Sequence, residues 1–146
     1  MDLIHGIFNA LFGLHPLHTM FVHFPIALTS SALLFIVLGL VVHSEHLERA
    51  AYYLSVLVVL GTAAASISGM SDNLSRYDGM APNAHVKVFL AVSLFILSLV
   101  LVISRARNAK LLWRKNTVIL YVAAYVGCFV LAAALGFFGG VIVYGF

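Results

Sequence analysis

The stretch FVHFPIALTSSALLFIVLGLVV, residues 21–42, decides the fold class of this chain. It is longer than the roughly 20 residues that an α-helix needs to cross a hydrocarbon core of about 30 Å. A strand of a membrane barrel would instead alternate polar and apolar residues over about 10 positions, and this stretch does not alternate. The stretch therefore predicts a membrane-spanning α-helix.

Three further apolar runs, at residues 50–70, 84–104 and 117–143, predict three more spans. The chain is 63% hydrophobic and 9% charged, with a mean hydropathy of +1.09, which excludes a soluble globular domain. We predict an all-α fold, an integral membrane four-helix bundle that forms one domain over residues 1–146. The first residues lack the basic segment of a cleavable signal peptide, so the first span is expected to remain as an anchor.

Basic residues are concentrated in two of the predicted connections. Six of the eight lysines and arginines lie between spans one and two or between spans three and four. Positively charged loops stay in the cytoplasm, so both termini are predicted to face the outer, periplasmic side. The same rule explains the net charge of +3 without a nucleic-acid partner. Residues 2–14 carry apolar side chains at helical spacing, which predicts a short N-terminal interfacial helix on the outer surface.

The seven histidines are the main candidates for chemistry in this chain. His43 and His46 lie beside Glu45 and Glu48 in a predicted cytoplasmic turn, and His5 lies on the predicted surface helix. The other four gather in the outer leaflet, because spans one and three run in the same direction. Polar side chains at membrane depth are usually retained for a function. These four residues are His15, His18, His23 and His85.

The positions of the outer histidines favour a pair on two helices over a cluster on one. His15 and His18 are about 60° apart around a helix, whereas His18 and His23 are about 140° apart. His23 and His85 are the deepest histidines of spans one and three, and two opposed imidazoles are axial ligands typical of a haem held in a helical bundle. The sequence predicts one haem b with His23 and His85 as iron ligands, in an electron-transfer subunit of a larger respiratory or photosynthetic complex.

Small residues at four-residue spacing provide room for a haem or for a neighbouring helix at the depth of the outer histidines. Plain helix packing explains such rows equally well. Asp72, at the predicted end of span two, is expected either to orient an imidazole or to cap the helix. The rows are Gly61, Ala65 and Gly69 in span two, and Ala132, Gly136 and Gly140 in span four.

Two other interpretations stay open. His15, His18 and His23, with Asp72, form a set that could bind copper or zinc. Alternatively, the chain is a cofactor-free structural subunit whose histidines bond across helices. In each case the short loops predict other membrane subunits or cytochromes as partners, with quinone as a further candidate. No catalytic triad or phosphate-binding loop is present, so the chain is expected to be an electron-transfer or structural subunit rather than an enzyme.

Motifs along the chain resemble those of a bacterial membrane family known as domain of unknown function 2231. HTMFVHFPIAL at residues 18–28 is similar to the family's opening H-P-x-x-V-H-F-P-I-A-L, with Thr19 in place of the proline. GGVIVY at residues 139–144 is similar to its closing G-G-E-L-V-Y, with Val141 in place of the glutamate. The resemblance covers nearly all of the chain. It implies a four-helix protein of the bacterial inner membrane, associated with cytochrome systems, whose motif positions include Gly69, Asp72 and His85.

Overall fold

The structure, a computed structural model, describes residues 17–79 and 83–144. Within these ranges it contains four α-helices and no strand, and all four helices are long and apolar enough to cross a membrane. The predicted all-α class and the four spans are confirmed. The predicted surface helix at residues 2–14 lies outside the described residues. The helices are α1 (Leu17–Val41), α2 (Glu45–Tyr77), α3 (Ala84–Arg107) and α4 (Val118–Tyr144).

The four helices form a ring in which each packs against two neighbours. The neighbouring pairs are α1 with α2, α2 with α3, α3 with α4, and α4 with α1. Helices α1 and α3 are therefore diagonal to each other. We call the end where α1 and α3 begin the histidine end. The opposite end is the basic end, where residues 42–44 join α1 to α2 and residues 108–117 join α3 to α4.

Helix α2 is longer than the apolar run at residues 50–70 predicts. It begins at Glu45 because the Ser44 hydroxyl caps it, accepting a hydrogen bond from the Leu47 amide at 3.5 Å. It ends at Tyr77, where Asp78 adopts a left-handed conformation (φ 49°) and its amide bonds the Asn73 carbonyl. With 33 residues, α2 is about 50 Å long, so polar turns extend beyond the apolar segment at both ends.

Each helix contributes to a narrow core and leaves most of its apolar surface outside. Ile36, Val58, Leu94 and Tyr125 are each at most 2% exposed and come from the four helices in turn. Only 17–28% of the residues in each apolar window are buried. The remaining apolar side chains, many of them more than half exposed, contact lipid. Exposure of so large an apolar surface to water would be unfavourable.

Small residues mark the closest helix contacts. A Cβ added at Gly61 would lie 3.5 Å from the ring of Pro25, and one added at Gly136 would lie 2.9 Å from Cδ1 of Ile26. Ala132, on the same row as Gly136, is 1% exposed. The two predicted rows of small residues therefore lie where α2 and α4 approach α1, as expected for close packing in a membrane.

Candidate functional site

At the histidine end, His23 lies on the outward side of α1. The core-facing positions of this helix are Pro25, Thr29, Ala32 and Ile36, which are buried, whereas His23 is exposed. His23 precedes Pro25 by two residues, which places it about 200° around the helix from that position. His23 therefore lies on the side of α1 that is turned away from the core.

His85 has the equivalent position on α3. Leu94, Ser98 and Leu101 form the buried side of that helix, and His85 is exposed at its second residue. Nine residues separate His85 from Leu94, which corresponds to about 180°. Because α1 and α3 are diagonal and both histidines point away from the core, the structure does not bring His23 and His85 together inside one chain.

The other residues of the predicted site are spread over the same end of the bundle. His18 lies in the first turn of α1, and His15 lies outside the described residues. Asp72 does not cap α2, as one of the two interpretations expected, because the helix continues for more than a turn and Asp78 takes the cap position. Gly136 and Gly140 lie in the last turns of α4. Among the described residues, no three His, Cys, Asp or Glu side chains are grouped as a metal site would require.

An internal cavity lies among the four helices. Its volume is about 10 Å³, the size of one water molecule. A porphyrin is far larger than this cavity, so a haem does not fit in the described interior of a single chain. A haem bound to these histidines would lie outside the bundle. The cavity is lined by Thr29, Ala32, Ser55, Val58, Ser98, Leu101, Tyr125 and Cys128.

The basic end contains a buried charged cluster, which the apolar runs of the sequence do not predict. Glu48, expected in a solvated turn, is instead 2% exposed in the first turns of α2. Arg105 of α3 donates from Nε to Glu48 Oε1 at 2.5 Å and from Nη2 to Oε2 at 2.8 Å. The Tyr121 hydroxyl of α4 donates to Oε1 at 3.1 Å. The two-point pairing neutralises the carboxylate and allows it to be buried.

Aromatic rings surround this ion pair and extend its hydrogen bonds towards the middle of the bundle. The Arg105 guanidinium lies 5.3 Å from the ring centroid of Tyr52. Tyr121 and Tyr125 pack edge to face, with their hydroxyls 3.3 Å apart. Tyr125 lines the internal cavity together with Ser55 of α2. The cluster thus joins α2, α3 and α4 at the basic end and reaches the lining of the internal cavity.

A spacing in the sequence could have identified this cluster. Glu48, Ser55 and Thr62 follow one another at intervals of seven residues, which keeps them on one face of α2. All three are at most 4% exposed. Because the second apolar run begins at residue 50, hydropathy alone places Glu48 in the preceding turn. It likewise places Arg105 in the loop that follows the third apolar run.

Comparison with known proteins supports the membrane assignment and goes no further. A family described as "Predicted membrane protein (DUF2231)" matches residues 14–146, which is nearly the whole chain. No curated protein matches the sequence. No solved structure matches it either.

Proposed function

The chain belongs to the DUF2231 family of predicted membrane proteins, and we propose that it is a haem b-binding electron-transfer subunit of a larger complex in the bacterial inner membrane. The observation that carries the proposal is the position of His23 and His85. Both are exposed near the starts of diagonal helices, at one end of the bundle. Imidazoles at the edge of an apolar span are usually retained for a ligand or a partner.

The surroundings of His23 support a flat ligand on the outward face of α1. Ala27 and Ser31 follow His23 at four-residue intervals and therefore share its side of the helix. Their small side chains leave space beside the imidazole, and Phe24, 59% exposed, adds an aromatic surface next to it. On α3 the residue four positions after His85 is larger. It is Phe89, which lies on the same side of the helix and is 70% exposed.

The outward direction of both histidines implies that a neighbouring chain completes the site. His23 and His85 of one chain project on opposite sides of the bundle, so each would bind iron from outside. The second axial ligand would come from another copy of the chain or from a partner subunit. When bound, haem iron supplies a one-electron carrier whose potential depends on its axial ligands and surroundings.

An absorption spectrum of the full chain, purified in detergent from a haem-producing host, tests this function. We expect a Soret band and a sharp α band on reduction, in a particle larger than one chain. His23→Ala and His85→Ala should each abolish the low-spin spectrum, whereas changing His15 or His18 should have a smaller effect. His46→Ala is the matched control, because His46 is exposed in α2 at the basic end and should not affect the spectrum.

The outcomes separate the proposal from its alternatives. A colourless chain that contains copper or zinc in a fixed ratio would favour the metal-binding interpretation. A colourless chain without metal would favour a structural subunit. Retention of the wild-type spectrum by both His23→Ala and His85→Ala would show that neither histidine binds the iron.

A further inference from the structure

A line of buried polar groups runs through the bundle, although the sequence is 63% hydrophobic. On α2 it consists of Glu48, Ser55 and Thr62, which lie on one face because they are seven residues apart. Each interval corresponds to about 10 Å along the helix, so the three residues cover about 20 Å, most of a hydrocarbon core. Their burial, at most 4% exposed, shows that they face the other helices and not the lipid.

The first interval, from Glu48 to Ser55, is bridged by hydroxyl groups of α4. Tyr121 bonds the Glu48 carboxylate at 3.1 Å, its hydroxyl lies 3.3 Å from that of Tyr125, and Tyr125 and Ser55 both line the internal cavity. In the pair of tyrosines either hydroxyl can be the donor. Because each hydroxyl has one hydrogen, Tyr121 accepts from Tyr125 while it donates to the ionised Glu48 carboxylate, and the bonds point the other way only when Glu48 is protonated.

The internal cavity lies beside Ser55, at the start of the second interval, and Thr62 is not among the residues that line it. Ser55 and Val58 of α2 line it, as do Thr29 of α1 and Ser98 of α3. Its volume of about 10 Å³ matches one water molecule, and although its surface is mostly apolar, the residues that line it include Thr29, Ser55 and Ser98, which carry hydroxyls, and Tyr125. Thr62 is 2% exposed, and its hydroxyl has no hydrogen-bond partner among the described residues. A buried hydroxyl in this state is usually satisfied by water.

We propose that these groups form a proton-conducting path that enters at the basic end and leads through the cavity and past Thr62 to the histidine end. Beyond Thr62, Ser66 is exposed and donates to the Thr62 backbone carbonyl at 2.8 Å, and half-buried Asp72 follows further along α2. The inference is independent of the haem, because it uses none of the histidines.

Proton transfer along this path leaves every group unchanged. A proton from water at the basic end adds to the Glu48 carboxylate, which then donates to the Tyr121 oxygen. Tyr121 passes its own proton to Tyr125, Tyr125 passes its proton to a water molecule in the cavity, and that water would release a proton past the Thr62 hydroxyl to water at the histidine end. Each hydroxyl accepts one proton and releases one, and rotation of the hydroxyls restores the starting bonds. One proton leaves one aqueous phase and one enters the other.

Ordinary helix packing is the competing explanation for these hydroxyls. Thr29, Ser55 and Ser98 donate to carbonyls of their own helices at 2.7–3.0 Å, which is common for hydroxyls in apolar helices. Such bonds use the hydroxyl hydrogen and leave the oxygen free to accept another. A structural role and a conducting role therefore predict the same static contacts and differ in proton flux.

Proton flux into vesicles that contain the full chain distinguishes the two roles. Vesicles loaded with a pH-sensitive dye are given a potassium diffusion potential, and the rate of internal pH change is measured. We expect the wild-type rate to exceed that of protein-free vesicles. Tyr125→Phe and Thr62→Val should lower it to the protein-free level, because each keeps the side-chain shape and removes one hydroxyl. Tyr53→Phe is the matched control, since Tyr53 is 59% exposed, and it should keep the wild-type rate.

Folding is checked by the melting temperature and elution volume of each variant in detergent. A folded Thr62→Val or Tyr125→Phe protein that keeps the wild-type rate would overturn the proposal. A wild-type rate equal to that of protein-free vesicles would also overturn it. Because the haem spectrum is recorded separately, failure of the conducting path would leave the haem proposal unaffected, and failure of the haem proposal would leave the path unaffected.

Discussion

Glu48 shows how a single residue can hold charge inside an apolar bundle. Its two carboxylate oxygens are both occupied by Arg105, and one also accepts from Tyr121. The attraction between the charges offsets the cost of removing them from water only while both partners are present. Removing one partner leaves the other buried and unpaired.

We therefore expect Glu48→Ala to destabilise the bundle strongly. Loss of one member of a buried ion pair costs about 3–5 kcal/mol, although Arg105, 14% exposed, can recover part of this by reaching water. Glu45→Ala is the matched control, because Glu45 is exposed in the same turn and its loss should change stability by about 0.5 kcal/mol or less. Unfolding of the purified protein in detergent measures both. Equal stability of the two variants would mean that the ion pair contributes little.

The contact between α1 and α4 depends on the absence of a side chain at a glycine of α4. At Gly136 there is no space for a Cβ, which would meet Ile26 at 2.9 Å, whereas nothing lies within 4 Å of a Cβ at Gly139. The two glycines are three residues apart on α4. They therefore provide a matched pair for testing whether packing depends on the small residue.

Gly136→Leu is expected to weaken the α1–α4 contact, while Gly139→Leu should be tolerated. Insertion of a large side chain into a packed seam costs about 1–3 kcal/mol. Because the clash is with the flexible end of Ile26, adding Ile26→Ala to Gly136→Leu should recover part of the loss. Melting temperatures of the four proteins provide the comparison. Equal destabilisation by Leu at positions 136 and 139 would show that the loss of stability comes from replacing a glycine in α4 and does not depend on the contact with Ile26.

At the scale of the whole molecule, the two ends of the bundle differ sharply in charge. The basic end carries six of the eight lysines and arginines, including Arg107, Lys110, Arg114 and Lys115 close together in the sequence. The histidine end retains Arg76 and Lys87. Because the four described helices alternate in direction, α1 begins and α4 ends at the histidine end.

The charge difference predicts that the histidine end faces away from the cytoplasm. A reporter that is active only in the cytoplasm should give no signal when fused after Phe146. The same reporter fused after Lys115, in the connection between α3 and α4, should be active. The reverse pattern of reporter activity would show that the basic end faces the outer side of the membrane. The proton path would then begin on that side.

The sequence by itself determined the membrane class, the four helices and the lipid-facing surface of this protein. Each of these depends on local quantities, namely the length of an apolar run and the mean polarity of about 20 consecutive residues. The close contact at Gly136 is one of the two roles that the row of small residues in the fourth span predicts, because such residues let helices approach closely.

The tertiary structure decided the direction of the side chains and the partners of the charges. The shared depth of His23 and His85 predicts that they face each other, whereas the structure places each of them on the side of its helix opposite the buried positions. Glu48 was predicted to be solvated because the hydropathy of its neighbours is low, yet Arg105, 57 residues away, pairs with it. A residue's depth follows from its position along a helix, but its neighbours across the bundle follow from how four helices pack, which no local pattern contains.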